Sequence, residues 1–198
     1  MVDLCYKDNL MHAHEIHTAV SSGLNITLPT TYGYVLLVAV LIALEIILIG
    51  FIFPGRARGE FFTKEFLEEH FGTEHKNATG AEIEKGGYPD MGCGRYAQKL
   101  TYKQWFDFNN AQRAHYNFVE MAPSTFVFLL VSGIYFPIPA AAIGLALAIF
   151  RVIYSIGYAK GGPKGRLIGA IGNDLALLGL IGLGFASGAM FANGNALL

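Results

Sequence analysis

Arg113, Asn117 and Glu120 stand at i, i+4 and i+7, a spacing that puts all three on one face of a helix. Arg151, Tyr154 and Tyr158 follow at i, i+3 and i+7, again on one face. Arg166 comes just after a Gly161-Gly162-Pro163 turn, and Arg56 and Arg58 close an earlier apolar run. Residues of these types handle charged ligands: an arginine fork holds a carboxylate through two hydrogen bonds, and a glutamate pairs with an ammonium. Their alternative role is to bond one another and fix helix packing, worth about 0.6 to 2 kcal/mol each inside a membrane. Spacing alone leaves both readings open.

The elements that must position these side chains are membrane helices. Of 198 residues, 53% are hydrophobic and only 15% charged, and the mean hydropathy is +0.41, more apolar than a soluble domain requires. Four runs reach the roughly 20 residues needed to cross about 30 Å of hydrocarbon. They are predicted at about 32–53, 106–136, 139–158 and 167–191. Pro54-Gly55 is read as the stop of the first, with Arg56 and Arg58 as interfacial anchors beyond it. The second apolar run begins at Phe118, but nothing between Trp105 and Arg113 breaks a helix, so the helix is expected to start near Trp105. Pro137 and Pro139 end it, and Gly161-Gly162-Pro163 ends the third. Short connections between such helices predict an all-α, integral membrane four-helix bundle with antiparallel neighbours. Both polar stripes then lean toward the same side of the bilayer, where Arg166 also lies.

Polar residues 1–30 form an extension without the apolar core of a secretory signal, and with Asp3, Asp8, Glu15 and a single Lys they do not read as a transit peptide. Lys and Arg concentrate in the 54–104 connection and at Lys160, Lys164 and Arg166, which predicts that both charged connections face the cytosol, or the matrix of a mitochondrion. An endoplasmic reticulum or mitochondrial membrane fits this pattern. With a formal charge of -1 there is no basic excess to recruit nucleic acid. Cys5 and Cys93 have no CxxC or zinc-like spacing. His12, His14 and His17 offer imidazoles for a metal, but a polar helix or partner contact is the plainer reading, and no metal site is assigned.

Three segments carry a family likeness: Phe108-Asn-Asn-Ala-Gln-Arg-Ala-His-Tyr-Asn-Phe-Val-Glu120, Phe150-Arg-Val-Ile-Tyr-Ser-Ile-Gly-Tyr158 and Gly162-Pro-Lys-Gly-Arg166. Together they resemble the membrane-associated proteins in eicosanoid and glutathione metabolism, most of all the microsomal glutathione transferase 3 branch. The first helix, opening Tyr32-Gly-Tyr-Val-Leu-Leu and closing in Arg-x-Arg, is similar too. The likeness covers about residues 31–191 with interruptions. It implies a homotrimer with glutathione bound between protomers and a lipophilic second substrate arriving from the bilayer. By the same resemblance Arg113, Asn117 and Glu120 hold the tripeptide, Tyr154 and Tyr158 line its pocket, and Arg166 activates the thiol. Lys164 is an alternative for that last role, and Arg56 a second cation within the site. The leukotriene synthase branch has a tyrosine after the glutamate, whereas this chain has Met121.

The resemblance implies a glutathione transferase or peroxidase that turns the thiol into thiolate for attack on lipophilic electrophiles or lipid hydroperoxides. Two other readings stand beside it: an accessory subunit of a larger membrane complex, and a silent lipid-binding scaffold, since the family includes a non-catalytic member. The 54–104 connection is longer than the family pattern. Phe61, Phe62, Phe66, Leu67 and Phe71 within it predict an amphipathic helix, while 72–95, rich in Gly, Asn and charge, is expected to contribute little core. Gly165 with Gly169, and Gly184 with Gly188, are spaced for close helix contact. Glu45, deep in the first helix, matches nothing in the catalytic pattern and is paired on paper with Arg151 or with another subunit. Residues 192–198 are a short tail.

Overall fold

The computed structural model describes residues 27–194; the His12, His14 and His17 cluster lies outside the described residues. Helix α1, Tyr32–Gly50, is built from a Leu, Ile and Val sequence whose buried positions Val35, Ile42, Glu45 and Ile49 recur at helical spacing. The sequence reading that Pro54 stops this helix is corrected. The chain widens into a π-helical turn, Phe51–Gly55, and continues as α2, Arg56–Phe61. Proline has no N–H and its ring collides with the carbonyl four residues back. One wider turn relieves that collision without ending the helix. Arg56 and Arg58 therefore ride on a helix rather than on a loop.

Thr63 accepts a hydrogen bond from the Phe66 backbone N–H and caps α3, Lys64–Thr79, which ends at Gly80 in the left-handed region. After a short 3-10 turn, Ala97–Lys99, Thr101 and Gln104 form a capping box that opens α4, Tyr102–Tyr135. That box explains why the helix starts before Trp105. Phe136 alone separates α4 from α5, Pro137–Gly165, whose first residue is a proline at a position where no backbone donor is needed. Arg166 alone separates α5 from α6, Leu167–Ala192.

Four stretches are long and apolar enough to cross a membrane: Tyr32–Phe61, Tyr102–Tyr135, Pro137–Gly165 and Leu167–Ala192. The protein is an all-helical integral membrane bundle, with no strand among the described residues. α5 packs against α1, α4 and α6, and α4 against α1 and α6. The shared core holds Val35, Ile42, Phe118, Leu129, Leu147 and Leu180 beside several alanines. Polar cross-links are few: Ser132 donates to the Leu180 carbonyl at 2.8 Å, Ser187 to the Ser132 carbonyl at 3.2 Å, and the Tyr32 hydroxyl to the Leu130 carbonyl at 3.1 Å. Large apolar side chains such as Leu37, Val40, Phe51, Ile168 and Phe185 point outward, as a lipid-facing surface requires.

At 1.5 Å per residue α4 is about 51 Å long, well over the roughly 30 Å of hydrocarbon. Its N-terminal turns stand beyond the bundle, and the 62–101 connection folds onto them. The segment between 72 and 95 contributes little core, as its composition predicts: Ile83 alone of it joins Phe62, Leu67, Phe71, Ala97, Leu100 and Phe108 in a separate apolar cluster. Its small side chains and glycines let the backbone itself supply the polar network. The Asp90 carboxylate accepts from the N–H groups of Gly92, Gly94 and Ala97 at 2.7, 3.0 and 2.8 Å. Arg58 donates to the carbonyls of Gly86, Gly87 and Asp90. This cap is fastened to α2 and to the first turns of α4.

Candidate functional site

Helix α5 breaks at Gly162, where φ is 60° and ψ is -148°. Only glycine enters that region readily, and a following proline narrows the choice further. The break folds Pro163, Lys164 and Gly165 back over α5. A Cβ built on Gly165 would lie 2.2 Å from the Gly157 carbonyl oxygen, and one on Gly169 would lie 2.3 Å from the Tyr154 nitrogen. Backbone therefore touches backbone where α5 and α6 cross, and Arg166 is delivered onto residues up to twelve positions earlier.

The result is a connected polar chain. Arg166 Nη1 donates to the Tyr154 hydroxyl at 3.0 Å, and that hydroxyl donates to Asn117 Oδ1 at 2.7 Å. The guanidinium carbon of Arg166 lies 5.8 Å from the Tyr154 ring centre and 5.4 Å from that of Tyr158, within the range of cation–π attraction. The two tyrosine rings are 5.7 Å apart and both are buried. The hydrogen bond it donates to Tyr154, more than any other influence, holds the Arg166 guanidinium above its ordinary pKa. It is a fixed cation at neutral pH.

Arg113 and Glu120 lie on the same face of α4 as Asn117, one turn to each side, and both are exposed on the single chain. Arg56 is exposed as well. Three of the expected site residues, Asn117, Tyr154 and Arg166, are thus joined directly, with the Tyr158 ring beside Tyr154 and Arg166. Arg113, Glu120 and Arg56 stand at the surface without joining that chain. Below it, Arg151 is buried, its guanidinium carbon 4.6 Å from the Phe118 ring centre and 4.8 Å from that of Tyr154.

A second stripe on α4 was not read from the sequence. Trp105 Nε1 and Asn109 Nδ2 each donate to the Gly92 carbonyl at 3.0 Å, and Gln112 Nε2 donates to the Met91 carbonyl at 3.3 Å. Residues 105, 109 and 112 have the same i, i+4, i+7 spacing as the first stripe, and that spacing is the signal that was available. The cap is fastened to α4 one residue before Arg113. Asn173, buried near the start of α6, donates to its neighbour Asp174 at 3.3 Å.

Residues 30–186, most of the chain and all of this site, match the family model described as the MAPEG family. With four membrane-spanning helices and Asn117 of α4 and Tyr154 of α5 joined to Arg166, the chain belongs to the MAPEG family.

Proposed function

We propose that the protein is a membrane glutathione transferase or peroxidase, working as a homotrimer on lipophilic electrophiles or lipid hydroperoxides. Membership of its family supports a glutathione-related or eicosanoid-related role in a membrane at that general level. The observation that carries the finer reading is the hydrogen-bonded line from Arg166 through Tyr154 to Asn117. Asn117 lies midway along a stripe that has a cation at Arg113 and an anion at Glu120, about 10 Å apart along the helix axis. Glutathione has matching parts: carboxylates and an ammonium toward its ends and a thiol in its middle.

The donor set fits this tripeptide. Arg113 and Arg56 offer forks for carboxylates, Glu120 an acceptor for the ammonium, and Asn117 an amide for the peptide backbone. Tyr154 and Tyr158 supply a flat wall. Arg166 acts on the sulfur. A free thiol has a pKa of about 8.5, and a guanidinium beside it favours the thiolate, the species that attacks. In a transfer the thiolate sulfur bonds to the electrophilic carbon and the leaving group departs. In peroxide reduction it takes the outer oxygen, the O–O bond breaks, and the alkoxide takes a proton to become the alcohol. A second glutathione then converts the sulfenic acid to the disulfide and water.

The exposed Arg113 and Glu120 favour a site completed by a neighbouring copy. The test is glutathione binding to detergent-purified protein, with thiolate followed by ultraviolet absorbance and particle mass measured in parallel. Saturable binding with a thiolate signal on a trimer is expected. Arg166→Ala should abolish the thiolate signal while binding persists, and Arg113→Ala should chiefly weaken affinity; equal behaviour of the two variants overturns the assignment. The folded cap, built on a connection longer than the family pattern, favours one competing reading, a structural subunit of a larger assembly. No binding, with co-purification in a large complex, would establish that reading instead.

A further inference from the structure

Glu45 is unused by the chemistry above, yet it occupies one of the costliest positions in the molecule. It sits between Ile42 and Ile49 on the inward stripe of α1, with 9% of its surface exposed. That stripe packs on α4 and α5. Arg151 on α5 is more enclosed, at 3%. One atom of each, Glu45 Oε1 and Arg151 Nη2, is buried without a hydrogen-bond partner. An isolated charge at membrane depth is costly, so such groups are kept where they meet a counter-charge or serve a site.

Among the described residues no hydrogen bond or ion pair joins Arg151 to a carboxylate; its charged neighbours are Glu45 on α1 and the exposed Asp174 on α6. Glu45 is the buried one. The guanidinium is packed against the rings of Phe118 and Tyr154, which restrict its movement. Tyr154 in turn is the only joint between Asn117 and Arg166 shown by the hydrogen bonds of the described residues. A rotation of that ring would disconnect both.

We propose that Glu45 is a positioning residue: it anchors Arg151 across the α1 and α5 interface, and Arg151 fixes the Tyr154 ring so that its hydroxyl stays joined to Asn117 and Arg166. The consequence for thiolate formation rests on the glutathione reading of the site, whereas the coupling to Tyr154 does not.

The experiment uses the full chain in detergent, labelled with 3-fluorotyrosine, and the Tyr154 fluorine signal is assigned from its loss in Tyr154→Phe. Glu45→Gln should shift or broaden that signal, and Glu45→Asp should restore it. With saturating glutathione and at a pH well below the thiol pKa, Glu45→Gln should lower the thiolate absorbance roughly tenfold, the size of a one-unit rise in that pKa. Glu45→Gln leaves Arg151 without its buried counter-charge and can fail to fold, so Glu45→Gln with Arg151→Met removes both charges together. This double variant should fold and still show a broadened Tyr154 signal. An unmoved Tyr154 signal in either folded variant overturns the proposal. Absence of any thiolate signal in the unmodified protein would defeat the glutathione reading alone, with the fluorine signal still deciding the role of Glu45.

Discussion

The bundle and its cap solve the same folding problem with opposite materials. Among α1, α4, α5 and α6 the closest contacts are made by missing side chains: Gly133 against Val35 and Tyr32, Gly144 against Leu129, Gly169 against Tyr154, Gly172 against Phe150. In the cap the contacts are rings, with Phe62 edge-on to Phe108 at 5.0 Å and Phe71 against Tyr96 at 4.8 Å. Surrounding solvent explains the contrast. Lipid gives no reward for hiding an apolar surface, so membrane helices gain by approaching closely. Water does reward it, so the cap gathers aromatic bulk around Phe62. Polar groups divide likewise: the bundle uses isolated hydroxyl bonds, the cap a carboxylate that satisfies three backbone N–H groups at once.

The largest effect that should sharpen this comparison is Phe62→Ala. It empties the centre of the cap cluster and should cost about 3 to 5 kcal/mol of cap stability. Limited proteolysis should then cut between residues 80 and 100 while helix content, read by circular dichroism, stays near its original value. Simultaneous loss of the bundle would break the distinction between the regions. Gly169→Ala is the reciprocal change. Its new methyl meets the Tyr154 backbone, which cannot step aside, at a cost near the top of the about 1 to 3 kcal/mol range for overpacking. Thermal unfolding in detergent should begin lower, and the line from Arg166 to Tyr154 should be displaced even though no polar atom is removed.

Asp90→Asn comes next. It replaces an ionised acceptor with a neutral amide that has one acceptor oxygen in place of two, with an expected loss of about 1 to 3 kcal/mol confined to the cap. Hydrogen exchange at Gly92, Gly94 and Ala97 should quicken while α5 and α6 stay protected. The smallest effect is Ser132→Ala in the bundle, where one hydroxyl bond should contribute only about 0.6 kcal/mol. A shift in the detergent melting curve as large as that of Asp90→Asn would show that the bundle depends on its hydroxyls after all.

The legible and illegible parts of this molecule follow the same division. Four apolar runs were readable because length against bilayer thickness is a one-dimensional property. So were the stripes at 113, 117, 120 and at 151, 154, 158, since helical spacing brings such residues to one face whatever the neighbours are. The cap was not legible. Ile83, Asp90 and Ala97 are scattered among glycines, and only the folded backbone shows them meeting Phe62 and Phe108. The fate of α1 at Pro54 was also hidden, because a proline can end a helix or be accommodated by one wider turn, and packing against α4 selects between them.

For the candidate site, sequence by itself supplied the residue types, their helical faces and the family to which they belong. It could not say which of them touch. That Arg166 reaches Tyr154 rather than projecting away depends on a left-handed glycine at 162 and on a crossing so close that Gly157 and Gly165 have no room for a Cβ. That Glu45 lies buried on the face of α1 that packs on α4 and α5 depends on the rotation of α1 within the bundle. Periodicity places a side chain on its own helix, whereas contact between helices is set by how the backbones cross, and only the tertiary structure decides that.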